Sequence, residues 1–265
     1  MKDRKGQRIS RILKDGKSII VPIDHVIEGY FNYNGEGYYR ELSDLGSLLR
    51  KFSEGGANAV IAYRGVAKRF RDVLGGSLSF IYRITEPVDE LIEGYVADAE
   101  RLGADAVIYT VIFGHPSEKE MFRTFQAITV VADKHDMPVI GEASFWDQSG
   151  LDKFETLRQG VRALGEAGAD LVKSQMPSEI SRELYSEIIG YSITPVVAAG
   201  GPKMDSVRKL LEFVKTFMDS GGSGTAIGRN IWQQRDPASV VKAIDLLVHR
   251  GGSVDEALRL VEGNA

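Results

Sequence analysis

Three stretches of the chain open with nearly the same phrase: Glu54-Gly-Gly-Ala-Asn-Ala-Val60, Leu102-Gly-Ala-Asp-Ala-Val107 and Ala167-Gly-Ala-Asp-Leu-Val172, with Gly222-Ser-Gly-Thr-Ala-Ile227 a looser fourth. In each, a glycine can close a helix, a small polar residue turns the chain, and apolar residues begin a strand, as a helix-to-parallel-strand connection requires. Apolar, β-branched runs recur at residues 18–23, 59–63, 78–84, 106–111, 138–142, 171–173, 194–198 and 224–227. Amphipathic segments lie between them at 40–55, 87–103, 117–135, 152–168, 204–220 and 237–250, and a further helical pattern follows at 254–261. Eight such units with no linker between them predict an α/β chain folded as a single (β/α)8 barrel, one domain over residues 1–265. A doubly wound open sheet is the alternative, but it would need edge strands, and every run here is uniformly apolar.

In a barrel the chemistry sits at the C-terminal ends of the strands. The residues placed there are Asp24, His25, Arg64, Arg83, Tyr109, Glu142, Lys173, Gly200-Gly201 and Gly228-Arg229. Lys173 ends the short run Leu171-Val172 with no acidic neighbour in its own segment. It either reaches solvent from the rim of the sheet or serves as an amine nucleophile, its pKa lowered in a poorly hydrated pocket so that it can form a Schiff base with a carbonyl. Glu142 ends the preceding strand, and a carboxyl group in such a pocket is expected to have a raised pKa and to shuttle protons; a structural salt bridge with Lys173 or Arg64 is the other reading. Asp24 is expected to bind a substrate hydroxyl, to move a proton, or to cap the next helix. Tyr109 could line the pocket, and His25 could contact substrate or act as a structural hydrogen-bonding partner.

The loops after the last two strands read Gly200-Gly201-Pro202-Lys203 and Gly228-Arg229-Asn230. Glycines let backbone N–H groups approach an anion, a following helix adds its dipole, and Lys203 and Arg229 add charge, so these loops are expected to hold phosphate. Lysine, glutamate and aspartate at strand ends, opposite a phosphate cradle, describe a Schiff-base aldolase acting on a sugar phosphate.

The same sequence excludes several chemistries. Cysteine is absent, so there are no disulfides, thiolate zinc sites or cysteine nucleophile. The remaining histidines, His115, His135 and His249, are too scattered for a metal site, and neither metal nor cofactor is expected. A net charge of −4 without a basic block gives no reason to expect nucleic acid or a membrane as partner. The charged N-terminal stretch lacks a signal-peptide core, and the expected location is the cytoplasm.

Five motifs carry a resemblance to a known family: Pro22-Ile-Asp-His25, Gly103-Ala-Asp-Ala-Val with Tyr109 beyond it, Ala169-Asp-Leu-Val-Lys173, Ala199-Gly-Gly-Pro-Lys203 and Ile227-Gly-Arg-Asn-Ile-Trp-Gln233. They resemble class I aldolases of the archaeal fructose-bisphosphate aldolase type, within the deoxyribose-phosphate/tagatose-bisphosphate aldolase superfamily, over nearly the whole chain. The resemblance implies that Lys173 is the Schiff-base lysine, that Asp24 orients substrate, that Gly201, Gly228 and Arg229 contact phosphate, and that the protein is a homo-oligomer. Two departures stand out. Val26 and Gly29 occupy places where the family usually has glycine and a further histidine, and Glu142-Ala-Ser-Phe-Trp-Asp147 replaces a Tyr-Pro-Arg segment that carries the acid/base tyrosine. Glu142 and Lys173-Ser-Gln-Met-Pro177 are instead similar to tagatose-bisphosphate and sulfo-sugar phosphate aldolases, which moves the acid/base role to Glu142 and the preferred substrate away from fructose 1,6-bisphosphate. A transaldolase-like synthase, a thiolase-like acyltransferase using coenzyme A, and a sugar-phosphate-binding barrel without catalysis are the alternatives.

Overall fold

The computed structural model describes residues 3–27, 39–177 and 179–263. Eight parallel strands close into a barrel in chain order: β1 (Ser18–Pro22), β2 (Ala59–Ala62), β3 (Ser79–Arg83), β4 (Ala106–Phe113), β5 (Val139–Phe145), β6 (Leu171–Ser174), β7 (Val196–Ala199) and β8 (Gly224–Ala226). Closure comes from β8 pairing with β1 through Ser18↔Gly224 and Ile20↔Ala226, so the open-sheet alternative is ruled out.

The repeated phrases behave as their composition requires. Gly56, Gly103 and Gly168 take left-handed φ values of +96°, +79° and +103° directly after their helices. The helices are α1 (Arg4–Ile12), α2 (Leu45–Gly55), α3 (Arg64–Arg69), α4 (Ile92–Arg101), α5 (Glu118–Lys134), α6 (Lys153–Glu166), α7 (Arg182–Tyr191), α8 (Val207–Asp219), α9 (Arg229–Trp232), α10 (Pro237–His249) and α11 (Val254–Glu262). The segment 40–55 is not one helix: a 3-10 turn over Arg40–Asp44 precedes α2, because the Asp44 side chain accepts from Ser47 N and restarts the helix there. Four of these helices, α1, α3, α7 and the four-residue α9, have no counterpart among the amphipathic segments read from sequence. The charged α1 buries only Ile12, α3 has six residues, and α7 is set by the Ser181 cap, whose side chain accepts from Leu184 N.

Alternation along the strands sorts the side chains. Ile20, Ile61, Ile81, Ile108, Ile140, Leu171, Val197 and Ala226 share one cluster inside the barrel, while Val21, Val60, Tyr82, Val107, Tyr109 and Val172 join the larger cluster under the helices. Ile12, at the end of α1, belongs to the inner cluster and with Leu13 closes the mouth where the strands begin, beside Ala106, Pro138 and Leu171. Two residues beyond the inner apolar layer, the same face of β3 to β6 carries Arg83, Thr110, Glu142 and Lys173. Thr110 is registered opposite Glu142, and Glu142 opposite Lys173.

Ile12→Ala is expected to lower stability by about 2–4 kcal/mol in urea unfolding, since it empties a fully enclosed site. The folded fraction should turn over at the parent rate, because Ile12 lies at the mouth opposite Lys173.

Candidate active site

Lys173 is 7% exposed and sits on β6 between Glu142 of β5 and Val197 of β7. A buried ammonium is costly without a counterion, and the register supplies one from the neighbouring strand: Lys173 Nζ lies 2.5 Å from Glu142 Oε1. The other oxygen of Glu142 accepts from Arg83 Nη2 at 2.6 Å and from Thr110 Oγ1 at 3.0 Å. Arg83 uses its remaining nitrogens on Asp24 Oδ2 (Nε, 2.7 Å) and on Thr110 Oγ1 (Nη1, 2.9 Å). Asp24, Arg83, Glu142 and Lys173 thus form a chain of alternating charge across the barrel, formally neutral and buried throughout.

This arrangement corrects the expectation of a raised Glu142 pKa. Burial does push the carboxyl up, but the charges of Lys173 and Arg83 and the hydrogen bonds both donate outweigh it and hold the group well below the usual carboxylate range. Arg64, considered as a partner for Glu142, turns outward instead and pairs through Nε with Asp98 Oδ2 of α4 at 2.9 Å.

Tyr109 is a second correction. The strand continues to Phe113, two residues further than its composition indicated, and its inward positions are Ile108 and Thr110. Tyr109 therefore faces the helices, and burial pushes its hydroxyl up to about 12. Tyr109 and Thr110 both line a cavity of about 580 Å³ between the loops after β3 and β4, and Thr110 also reaches Glu142.

His25 lies edge-on to Trp232 and Tyr39, with ring centroids 5.4 and 6.1 Å away, and its Nδ1 is 3.5 Å from Asp24 Oδ1. Burial, aided by the charges of Lys173 and Arg229 and opposed by Asp24, lowers its pKa to about 4, so the imidazole is neutral at neutral pH. Gly29, the other departure in this motif, lies outside the described residues.

The two glycine loops are brought together. Asn230, buried at the start of α9, accepts from Met204 N at 2.7 Å and donates to Gly200 O at 3.1 Å and Pro202 O at 2.9 Å. Trp232 Nε1 donates to Pro22 O at 3.1 Å and ties the same turn to β1. Gly228 is required by crowding: a Cβ there would stand 2.6 Å from Pro22 O and 2.7 Å from His25 Cε1. Gly201, at φ +61°, has open space on that side. Arg229 Nε is buried without a hydrogen-bond partner among the described residues, whereas exposed Lys203 donates to Gln233 O at 3.3 Å. The helix dipole contributes less than expected, since α9 has four residues and α8 begins six residues beyond Gly201. Arg83, Thr110 and Asn230 are the site residues that did not receive a role from sequence.

A family model for DeoC/LacD aldolases matches residues 18–234, from β1 through α9. The chain belongs to this family. The matched span contains the whole buried charge chain and both glycine loops. Among curated relatives, a 2-amino-3,7-dideoxy-D-threo-hept-6-ulosonate synthase of Archaeoglobus fulgidus is 30% identical over 98% of this chain and 96% of its own. A class 1 fructose-bisphosphate aldolase of Halobacterium salinarum is 31% identical over 94% and 97%. Among solved structures, a Schiff-base-forming fructose-1,6-bisphosphate aldolase superposes with a TM-score of 0.76 at 27% identity, covering 92% of this chain and all of that one. This DeoC/LacD aldolase is accordingly a carbon–carbon lyase of the class I type.

Two-dimensional NMR of the histidines should show His25 titrating near pH 4, well below the ordinary 6.5. A midpoint at 6 or above would contradict its burial beside Lys173 and Arg229.

Proposed function

We propose that the protein forms or cleaves a carbon–carbon bond in a phosphorylated ketose through an imine on Lys173, with Glu142 as the proton carrier. The observation that carries this reading is the 2.5 Å contact between Lys173 Nζ and Glu142 Oε1 inside the buried charge chain. Lys173 first gives a proton to Glu142; its neutral nitrogen adds to the ketone carbon, and the proton which that nitrogen then sheds passes to the carbonyl oxygen, giving a neutral carbinolamine. With the positive charge gone from nitrogen, one of the two cations that hold the Glu142 carboxyl down is removed, and the carboxyl retains its proton at this stage. It then delivers that proton to the carbinolamine hydroxyl, the C–O bond breaks and water leaves. The resulting iminium restores the charge opposite the Glu142 carboxylate.

For cleavage, a base takes the proton of the hydroxyl on the carbon beyond the bond to be broken. That oxygen's electron pair forms the aldehyde carbonyl, the C–C bond breaks, and its pair enters the iminium to give an enamine. Protonation of the enamine carbon and hydrolysis of the imine release the second product and free Lys173. The iminium is the electron sink, and the scheme calls for no metal. In this reading Asp24, at the far end of the charge chain, accepts hydrogen bonds from substrate hydroxyls, a role supported by its position beside Arg83. The stapled loops, with Gly201 open and the Arg229 Nε donor unspent, suit the phosphate group, and Lys203 adds charge at their rim.

A second reading is favoured by the relatives named as synthases: the same enamine would be captured by a different aldehyde and carbon–carbon bond formation would be the working direction. The two readings share the imine and differ in the acceptor.

Borohydride reduction in the presence of dihydroxyacetone phosphate, followed by peptide mass spectrometry, should place an adduct on Lys173. An adduct on another lysine, or none across a panel of ketose phosphates, would refute the proposal. Glu142→Gln should lower turnover by about 10²-fold or more while phosphate-ligand binding persists, and near-normal turnover would refute its role.

A further inference from the structure

We propose that Arg83 is a positioning residue of the imine chemistry: it holds one oxygen of Glu142 and one of Asp24 on a single guanidinium, leaving Glu142 Oε1 as the oxygen that exchanges protons at Lys173. The proposal rests on the aldolase reading above. Its basis is the way the two oxygens of Glu142 are divided. Oε2 takes the Arg83 Nη2 and Thr110 hydroxyl donors, so its in-plane acceptor positions are filled, while Oε1 faces Lys173 Nζ. The Thr110 hydroxyl accepts from Arg83 Nη1 and donates to Oε2, so the same guanidinium also orients the second donor to that oxygen.

The geometry uses a planar fork. Among the described residues, Nε, Nη1 and Nη2 of Arg83 reach Asp24 just beyond β1, Thr110 on β4 and Glu142 on β5 at 2.7, 2.9 and 2.6 Å. An ammonium carries the same charge but presents a compact point that does not span these three partners at once. A merely structural Arg83 would only neutralise two buried acids, a task that lysine also performs. Arg83→Lys therefore separates the charge from the fork.

The groups facing the Glu142 carboxylate include Arg83 from β3 and Thr110 from β4 on Oε2 and Lys173 from β6 on Oε1; Asp24 lies beyond the guanidinium, with His25 beside Asp24 and Arg229 near His25. Of the two cations on Glu142, Arg83 is the one that does not change charge during the reaction. Loosening it raises the Glu142 carboxyl in every intermediate and allows the proton to sit on either oxygen.

The test is the pH–rate profile of ketose phosphate cleavage for the parent and Arg83→Lys, with borohydride trapping by dihydroxyacetone phosphate as a control on both. The expected result is a kcat at least tenfold lower in the variant, a KM within about threefold, and an acid limb moved upward by about one pH unit. A variant with kcat within threefold and an unchanged acid limb overturns the proposal. Should Arg83→Lys fail to fold, Thr110→Val carries the test, because it removes the second donor to Oε2 without changing charge. It should lower kcat at least threefold and move the acid limb in the same direction, and an unchanged profile overturns the proposal. Failure to trap the parent on Lys173 refutes the aldolase reading itself, whereas a trapped parent with indifferent variants refutes only the role of Arg83.

Discussion

Removing an ammonium or a carboxylate from water costs several kcal/mol even after the protein relaxes, and four such groups lie in the mouth of this barrel. They are tolerated because they alternate in sign and because the oxygens between them accept hydrogen bonds, from Asp24 through Arg83 and Glu142 to Lys173. The barrel makes that sequence of contacts possible. Its interior positions lie two residues apart on each strand, so the layer directly above Ile81, Ile108, Ile140 and Leu171 consists of Arg83, Thr110, Glu142 and Lys173. The apolar layer below, closed by Ile12, and the helices outside exclude water from the lower side of the chain.

The reactive end follows from the same electrostatics. In the proposed scheme Lys173 and Glu142 would exchange one proton over their 2.5 Å contact, with its preference set by the charge on the lysine nitrogen. A second cation, Arg83, also holds the Glu142 carboxyl low, which in that scheme would make it a stronger acid when water is expelled and a stable anion opposite an iminium. The two glycine loops depend on different forces. Asn230 and Trp232 spend their side chains on backbone carbonyls, fixing the two glycine loops against each other and against β1. The Arg229 Nε donor is left over beside them.

Much of this was visible in the residues alone, and what was not has a physical cause. The glycine of the repeated phrase announces its left-handed turn, so the barrel, and with it Asp24, Glu142 and Lys173 at the ends of apolar runs, follows from local pattern. Arg83 stood among the strand-end residues but acquired no role, because its described carboxylate partners, Asp24 and Glu142, are each 59 residues away and one side chain gives no sign of where its guanidinium nitrogens will point. Tyr109 was misplaced by parity: β4 runs past the expected end, and a shift of attention by one residue exchanges the pocket for the helix layer. Asn230 was invisible for a third reason, since its partners are backbone atoms of a loop 26 to 30 residues earlier. Local periodicity reports which face a residue occupies, and long-range partners appear only when the strands are closed.

The account depends most directly on Lys173 becoming covalently joined to a ketone. Carbon-13 NMR of the protein with dihydroxyacetone phosphate labelled at its carbonyl carbon observes that bond without chemical trapping. The account predicts a protein-bound signal at the position of a carbinolamine or iminium carbon that disappears in Lys173→Arg. A spectrum containing only the free ketone and its hydrate, or a bound signal that survives Lys173→Arg, would contradict it.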